Sequence, residues 1–401
     1  MDVVVTGMAC LCAAGTNPDA ALHGLENARR HLTSSQCLDT QALPYPFFSV
    51  GEALFPGGRR HSAWDTFCLA HEVVTQALAT AQLPLWAQRE SGVIFGTTAG
   101  SALHFLTSYR ASRALAENVD ASGTVKKCND AIGNSDIEDY FSSNLALQLL
   151  PEACGQRLTI TDACTSGADA VGIAVDLITT GQCPCAVCGG ADALSLVPHT
   201  GFARLMIFSD TPCRPFDRNR NGLNLGEGAA ALVLEDADFA KRRNAPVFGR
   251  ILGFGSASDA YHFTAPHPEG RGLRDAIAMA FAQAAISAED IAFVNAHGTA
   301  TRENDRVEGQ VLHALLPYTP VWGSKGGTGH TLGAAGALEA VLALTALRSG
   351  FVPATQGFAT LDPEIGFAPT REVQPVTRPF ALSTSLGFGG GNAALVLGVA
   401  R

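Results

Sequence analysis

Three short stretches of this 401-residue chain carry side chains that could act together in acyl chemistry. The first, DACTSG, places Cys164 between a β-branched run and an apolar helical stretch. A thiol reacts as the thiolate, and the unpaired N–H groups of a helix N-terminus can lower its pKa and hold an oxyanion. This stretch alone leaves a second interpretation open, in which Cys164 is a small buried side chain like most cysteines.

Two histidine motifs favour the catalytic interpretation. NAHGTATREND places His297 at the end of a strand-like run, and GSKGGTGHT places His330 before an apolar helix, with Lys325 five residues earlier. GSKGGTGHT has no Gly-Lys-Ser/Thr, so a phosphate-binding loop is excluded, and the cysteine run CPCAVCGG has no fourth ligand nearby, so we expect no metal site. Asp305 and Glu308 are interpreted as ordinary acids at the start of a helix.

The elements that must position these residues alternate short strand-like runs with longer apolar helices, which predicts a layered α/β fold. RLTITDACTSGADAVGIAVDLITTGQ and PVWGSKGGTGHTLGAAGALEAVLALTALRSG share one plan of strand, small-residue turn, apolar helix and glycine stop. We therefore expect two related halves, 1–245 with the cysteine and 246–401 with both histidines. Cys164 and His330 would then occupy equivalent turns, which a pseudo-twofold axis would bring together.

Bulk composition excludes several classes of function. A hydrophobic fraction of 47% with 16% charged residues indicates a globular protein with a large interior. The formal net charge of −10 argues against nucleic acid or an anionic membrane as the main partner. We expect a cytoplasmic location, because the N-terminal segment lacks a basic n-region, no apolar run suits a membrane span, and the eleven cysteines favour reduced thiols.

The motifs together resemble those of the elongating β-ketoacyl-acyl carrier protein synthases of the thiolase superfamily. The similar stretches follow the family's order over almost the whole chain: VVVTG, DACTSG, CRPFDRNRNGLNLGEGAAALVLE, DAYHFTAP, NAHGTATREND, GSKGGTGHTLGAAGALEA and GFGGGNAALVLG. The resemblance implies a thiolase-like αβαβα fold and a decarboxylative Claisen condensation with malonyl-acyl carrier protein (malonyl-ACP), in fatty acid, polyketide or aryl-polyene elongation. It implies no cofactor, since the phosphopantetheine of the carrier protein holds the substrates.

The resemblance also implies a role for each site residue. Cys164 would take the acyl group, and His297 and His330 would bind the malonyl thioester oxygen and stabilise the enolate. Lys325 would orient His330, while the backbone N–H groups of Cys164 and Phe388 would form the oxyanion hole, with Phe388 also gating the acyl pocket. The remaining implied residues are substrate and pantetheine contacts at Thr299, Thr301, Asp259, His262, Thr264 and Phe202, a structural acid at Glu339, and carrier-protein docking positions at Arg59, Arg60, Lys126, Lys127 and Arg204.

Some features depart from the family pattern and leave the acyl chain undefined, namely the short segment 133–150 and residues Asn221, Leu223, Leu386 and Gly391. The resemblance implies a homodimer or a heterodimer with a related synthase-like subunit, without choosing between them. Two alternatives stay open: a cysteine acyl hydrolase or acyltransferase, and a non-catalytic or chain-length-determining subunit. The paired histidines with a lysine oppose the first alternative, and the intact cysteine, histidines and lysine oppose the second.

Overall fold

The computed structural model describes residues 2–30, 32–33, 45–51, 54–55, 63–98, 100 and 145–399. The strands are β1 (Val3–Cys12), β2 (Leu32–Thr33), β3 (Phe47–Phe48), β4 (Gly92–Gly96), β5 (Arg157–Ile160), β6 (Cys185–Asp192), β7 (Gly228–Asp236), β8 (Gly249–Ser258), β9 (Ile291–Ala296), β10 (Val321–Gly323), β11 (Phe351–Val352), β12 (Gln374–Pro375), β13 (Phe380–Leu386) and β14 (Gly391–Gly398).

The α-helices are α1 (Pro18–Glu26), α2 (Ala63–Ala81), α3 (Leu85–Glu90), α4 (Leu145–Leu149), α5 (Ser166–Thr179), α6 (Leu196–Arg204), α7 (Ala237–Arg242), α8 (Arg271–Ala284), α9 (Arg302–Leu315), α10 (Lys325–Thr328) and α11 (Ala335–Ser349). Short 3₁₀ turns lie at Ala163–Thr165, Ala288–Asp290 and Leu332–Ala334.

The main sheet repeats one strand topology twice. Its order is β10-β9-β13-β14-β8-β1-β7-β6-β4-β5, and the first strands of the two parts, β1 and β8, meet antiparallel with Val3 opposite Ile251. Counted outward from this junction, both parts contain their first, fifth, fourth, second and third strands in chain order. The division predicted at 245/246 falls in the connection between α7 and β8.

The helices form three layers around the two parts of the sheet. α5 and α11 pack against each other between the parts, whereas α2 covers β1 and β7 on one outer side and α8 covers β8 and β14 on the other. Every residue of α11 from Ala335 to Leu347 is buried, as expected of a helix that is apolar all round. The predicted layered α/β arrangement is confirmed.

Among the residues that the structure describes, one apolar stretch has the length and hydropathy of a membrane span. It runs over Leu332–Ser349, which is α11 with its preceding turn, and 89% of it is buried inside the fold. The stretch is therefore explained by its place in the core.

The turns that precede α5 and α11 have the same backbone form. Ala163 and Leu332 each open a 3₁₀ turn with a positive φ, 45° and 52°, and the α-helix starts three residues later in both cases. By this alignment the position of Cys164 corresponds to Gly333, and His330 lies three residues earlier in its own turn. The two turns correspond in backbone form, and His330 lies just before the turn of its own half.

Candidate active site

Cys164 lies in the 3₁₀ turn that connects β5 to the buried helix α5, and its side chain is 5% exposed. Its Sγ is 3.1 Å from Nε2 of His330. The turn is tied to the loop after β4, because Thr98 Oγ1 donates a hydrogen bond of 2.8 Å to the carbonyl of Ala163. A thiol and an imidazole are therefore in direct contact, which is the geometry that a nucleophile and its base require.

The resting thiol is protonated at neutral pH. Burial raises the pKa of Cys164 to about 12, more than the Lys325 charge and the Phe388 backbone N–H lower it. In the resting site, desolvation of the thiolate therefore dominates over the lowering of the pKa that a helix N-terminus can provide. The imidazole that touches Cys164 is placed where it could accept the thiol proton.

His330 is held by the central glycine-rich signature. Its backbone N–H donates to the carbonyl of Asn224 at 2.9 Å, and its own carbonyl accepts from the N–H of Gly226 at 2.9 Å. Burial, followed by the Lys325 charge, lowers the pKa of the ring well below its ordinary value. The imidazole is therefore neutral and free to accept the thiol proton.

His297 follows β9 and faces His330, with ring centroids 5.2 Å apart and planes at 88°. Its Nδ1 lies 3.3 Å from the Nζ of Lys325. An ammonium group can only donate, so Nδ1 accepts and the ring proton stays on Nε2. Burial, Lys325 and His330, in that order, lower the pKa of His297 well below its ordinary value, so this ring is also neutral.

Lys325 and Glu339 form a buried ion pair behind the histidines. Lys325 Nζ donates to Glu339 Oε1, and Ser324 Oγ donates to the same oxygen at 3.2 Å. Both charged side chains are 2% exposed. Because the hydrogen bond of Lys325 goes to His297, the implied role of Lys325 in orienting His330 is not what the contacts show.

Glu308 and Asp305, on the first turns of α9, have a larger role than the sequence indicated. Glu308 accepts backbone N–H bonds from His297 at 2.7 Å and Gly298 at 2.8 Å, and a hydroxyl bond from Thr384. Asp305 accepts from the N–H of Ala300 at 3.1 Å. These acids hold the His297 loop, and their i,i+3 spacing on the apolar face of α9 was the available signal.

A cavity of 430 Å³ opens beside the thiol. Phe202 and Phe388 stack across it, with centroids 5.4 Å apart and planes at 19°. Thr299 and Thr301 share a hydroxyl hydrogen bond of 2.8 Å on its wall. The other site residues named above that line the cavity are Cys164, His297, His330, Asp259, His262, Thr264, Asn221, Leu223, Leu386 and Gly391.

The loop that contains Asp259, His262 and Thr264 is bonded to the loop of Phe388. The N–H of Asp259 donates to the carbonyl of Gly390, and the N–H of Gly389 donates to that of Phe263, both at 2.8 Å. Within the loop, His262 Nδ1 accepts from the N–H of Thr264 at 3.1 Å. A displacement of one loop therefore strains hydrogen bonds to the other.

The implied docking positions are only partly visible. Arg204 is exposed at the end of α6, next to Leu205 and Met206 at the cavity. The other implied docking residues lie outside the described part of the chain: Arg59, Arg60, Lys126 and Lys127.

Two family models match this chain. The β-ketoacyl synthase N-terminal domain matches residues 49–240, and the β-ketoacyl synthase C-terminal domain matches residues 248–359. The chain belongs to the β-ketoacyl synthase family. The family predicted from the motifs is confirmed.

Curated relatives from fatty acid and polyketide systems are similar over most of the chain. A putative mitochondrial 3-oxoacyl-[acyl-carrier-protein] synthase of Schizosaccharomyces pombe is 38% identical and covers 98% of both chains. The tetracenomycin polyketide synthase ketoacyl synthase alpha subunit of Streptomyces glaucescens is 34% identical and covers 98% of this chain and 96% of its own. The predicted enzyme class, an elongating condensing acyltransferase, is confirmed by these relatives.

Solved structures agree in fold. The ishigamide ketosynthase/chain length factor superposes with a TM-score of 0.89 at 27% identity, covering 100% of this chain and 99% of its own. A β-ketoacyl synthase from Burkholderia phymatum gives 0.87 at 28% identity and covers 100% of both chains. The predicted thiolase-like fold is confirmed.

Proposed function

We propose that this β-ketoacyl synthase elongates acyl chains by decarboxylative Claisen condensation, with the acyl group on Cys164 and malonyl-ACP as the second substrate. The observation that carries the proposal is the 3.1 Å contact between Cys164 Sγ and His330 Nε2, with His297 and its lysine partner in the same site. The related halves 1–245 and 246–401 supply the nucleophile and the two histidines respectively.

In the first half-reaction, Cys164 transfers its proton to His330 and attacks the carbonyl carbon of an acyl-ACP thioester. The bond from the Cys164 sulfur to carbon forms, and the bond from that carbon to the pantetheine sulfur breaks. His330 returns the proton to the departing thiolate, so the step is balanced. The N–H of Phe388, which already faces the Cys164 sulfur, and the N–H of Cys164 stabilise the oxyanion.

In the second half-reaction, the malonyl carboxylate leaves as carbon dioxide and its bonding electrons move into an enolate. The charge develops on the thioester oxygen, where neutral imidazoles can donate hydrogen bonds. His297 suits this role because Lys325 holds its proton on Nε2. The enolate carbon then attacks the carbonyl carbon of the Cys164 thioester, so that a carbon–carbon bond forms and the bond from that carbon to the Cys164 sulfur breaks. The released thiolate takes up one proton from solvent by way of His330, which restores the resting thiol.

The carrier arm and the acyl chain enter the same cavity. We propose that Thr299 and Thr301 bind the pantetheine arm, that Asp259, His262 and Thr264 form the loop that moves during loading, and that stacked Phe202 and Phe388 gate the acyl pocket. All of these side chains line the cavity beside Cys164, which supports the assignment. No free cofactor is required, because the carrier protein delivers both substrates.

Carrier protein and a subunit of the same fold are the proposed partners. A ketosynthase of Xenorhabdus doucetiae, 28% identical with a TM-score of 0.79, was solved in complex with its chain length factor. Intact Cys164, His297, His330 and Lys325 support the catalytic member of such a pair. Arg204 and the basic residues Arg59, Arg60, Lys126 and Lys127 are the proposed docking positions for the acidic carrier, and the cytoplasm is the proposed location.

The test is the intact mass of the protein after incubation with a panel of acyl-ACPs, followed by malonyl-ACP. We expect an acyl adduct on wild type that Cys164→Ala lacks, and its discharge into a ketoacyl product two carbons longer. An adduct that is lost to water without a product would favour a hydrolase. An absence of adduct with every acyl chain would favour a non-catalytic subunit.

A further inference from the structure

Asp192 is a buried acid at the end of β6 that the reaction steps above do not use. It is the last residue of the cysteine-containing strand CAVCGGAD, and it is 0% exposed. Its carboxylate accepts from Thr97 Oγ1 at 2.7 Å, from the backbone N–H of Thr98 at 2.9 Å and from the backbone N–H of Gly333 at 2.7 Å.

These donors belong to segments that hold the two reacting side chains. Thr98 Oγ1 donates to the carbonyl of Ala163, the residue before Cys164. Gly333 lies in the turn that follows His330, at the position corresponding to Cys164 in the other half. Asp192 Oδ2 accepts both backbone hydrogen bonds and therefore connects the Thr98 segment to the turn of Gly333.

The close packing of these segments requires an acceptor at this point. A Cβ on Gly333 would lie 2.6 Å from the nitrogen of Thr98, so the two backbones approach as closely as glycine permits. Two backbone N–H groups that converge this closely need one shared acceptor, and a carboxylate forms stronger bonds to them than a neutral group does. Buried N–H groups without a partner are destabilising, so loss of this acceptor disfavours the close approach of the two segments.

We propose that Asp192 is a positioning residue that fixes the contact between Cys164 and His330, because it bonds Thr98, which holds the Cys164 turn, and Gly333, in the turn that follows His330. The inference rests on the proposed Cys164 and His330 chemistry. Asp192 touches neither reacting atom, and it acts through Thr98 on one side and Gly333 on the other.

The charge of Asp192 gives a second effect that distinguishes this role from a structural one. Three charged groups shift the pKa of the Cys164 thiol: Lys325 lowers it, and Asp192 and Glu339 raise it. Removal of the Asp192 charge should therefore increase the thiolate fraction, while loss of its hydrogen bonds should slow the reaction that needs His330. A purely structural acid would not move these two quantities in opposite directions.

The test compares acyl-adduct formation with iodoacetamide alkylation of Cys164 at pH 8. Asp192→Ala removes the acceptor of the converging N–H groups together with its charge, and we expect adduct formation to fall about tenfold or more through misplacement of the pair. Alkylation should become faster, because the Asp192 charge raises the pKa of the Cys164 thiol. Asp176→Ala, on the exposed face of α5, is the matched control and should change neither rate.

Thr98→Val provides a second, independent variant, because it removes the bond to Ala163 and keeps the Asp192 charge. Adduct formation should fall and alkylation should not accelerate, and this result is informative even if Asp192→Ala does not fold in a thermal melt. Wild-type adduct rates in both variants, or alkylation of Asp192→Ala no faster than wild type, would overturn the proposal. If wild type itself forms no adduct, the proposed function fails instead.

Discussion

The buried Lys325–Glu339 pair allows stability and catalysis to be separated by substitution. Lys325→Met keeps the length of the side chain but leaves the Glu339 carboxylate buried with Ser324 Oγ as its remaining hydrogen-bond donor. The double variant Lys325→Met with Glu339→Gln removes both charges. In each variant His297 loses the ammonium donor to its Nδ1, so the fixed tautomer is lost.

The expected magnitudes differ for the two properties. An uncompensated buried charge costs about 3–5 kcal/mol of the free energy of unfolding, whereas replacement of a whole buried pair is often close to neutral. Loss of one preorganised donor to a developing oxyanion costs about 10²–10³ in rate. The single variant should therefore be strongly destabilised and slow, while the double variant should recover most of the stability and stay slow.

Chemical denaturation and carbon dioxide release from malonyl-ACP measure the two properties, with exposed Lys241→Met as the control for loss of a lysine. Recovery of decarboxylation in the double variant would refute the assignment of Lys325 to His297. Equal stability of the single and double variants would refute the description of Lys325 and Glu339 as a mutually compensating buried pair.

Three further predictions concern neighbouring groups. Burial raises the pKa of Glu308 to about 7 from 4.5, so its contribution to stability is complete below pH 4.5 and is lost as pH rises through 7. Glu308→Gln should remove this pH dependence of the free energy of unfolding, measured by denaturation at pH 5 and 8. An unchanged pH dependence in the variant would contradict the prediction. His330→Ala should slow acyl-adduct formation by about 10²–10⁴, seen by intact mass, whereas a wild-type rate would exclude His330 as the base. Phe202→Ala removes the ring stacked on Phe388 and should extend the acyl-ACP panel to bulkier chains; an unaltered preference would exclude Phe202 from the gate.

Local patterns in the sequence predicted the elements that contain the site. The strand, small-residue turn and apolar helix around Cys164 lie where the pattern predicts them, and α5 begins at Ser166. Helix starts were harder to predict: α9 begins at Arg302 with a charged first turn, which apolar periodicity does not detect. Neighbouring residues determine such patterns, so they can be recognised without a partner element.

Properties that depend on contacts between distant segments were not predictable in this way. The hydrogen bond from Lys325 to His297 depends on how β9 and β10 pair, whereas the family resemblance implied a role of Lys325 towards His330. Glu308 looks like an ordinary helix-start acid in the sequence, and only the fold shows that it accepts a hydrogen bond from the backbone N–H of His297. The raised pKa of Cys164 has the same origin, because both halves of the chain contribute to the burial that raises it.

The central claim is that one site both generates the enolate and joins it to the acyl group on Cys164. The most direct measurement is a single turnover of pre-acylated protein with malonyl-ACP labelled at the free carboxyl, counting released carbon dioxide against ketoacyl-ACP. We predict one ketoacyl product for each carbon dioxide, and loss of both in His297→Ala. Carbon dioxide without product, or discharge of the acyl group to water in place of the malonyl carbon, would contradict the claim.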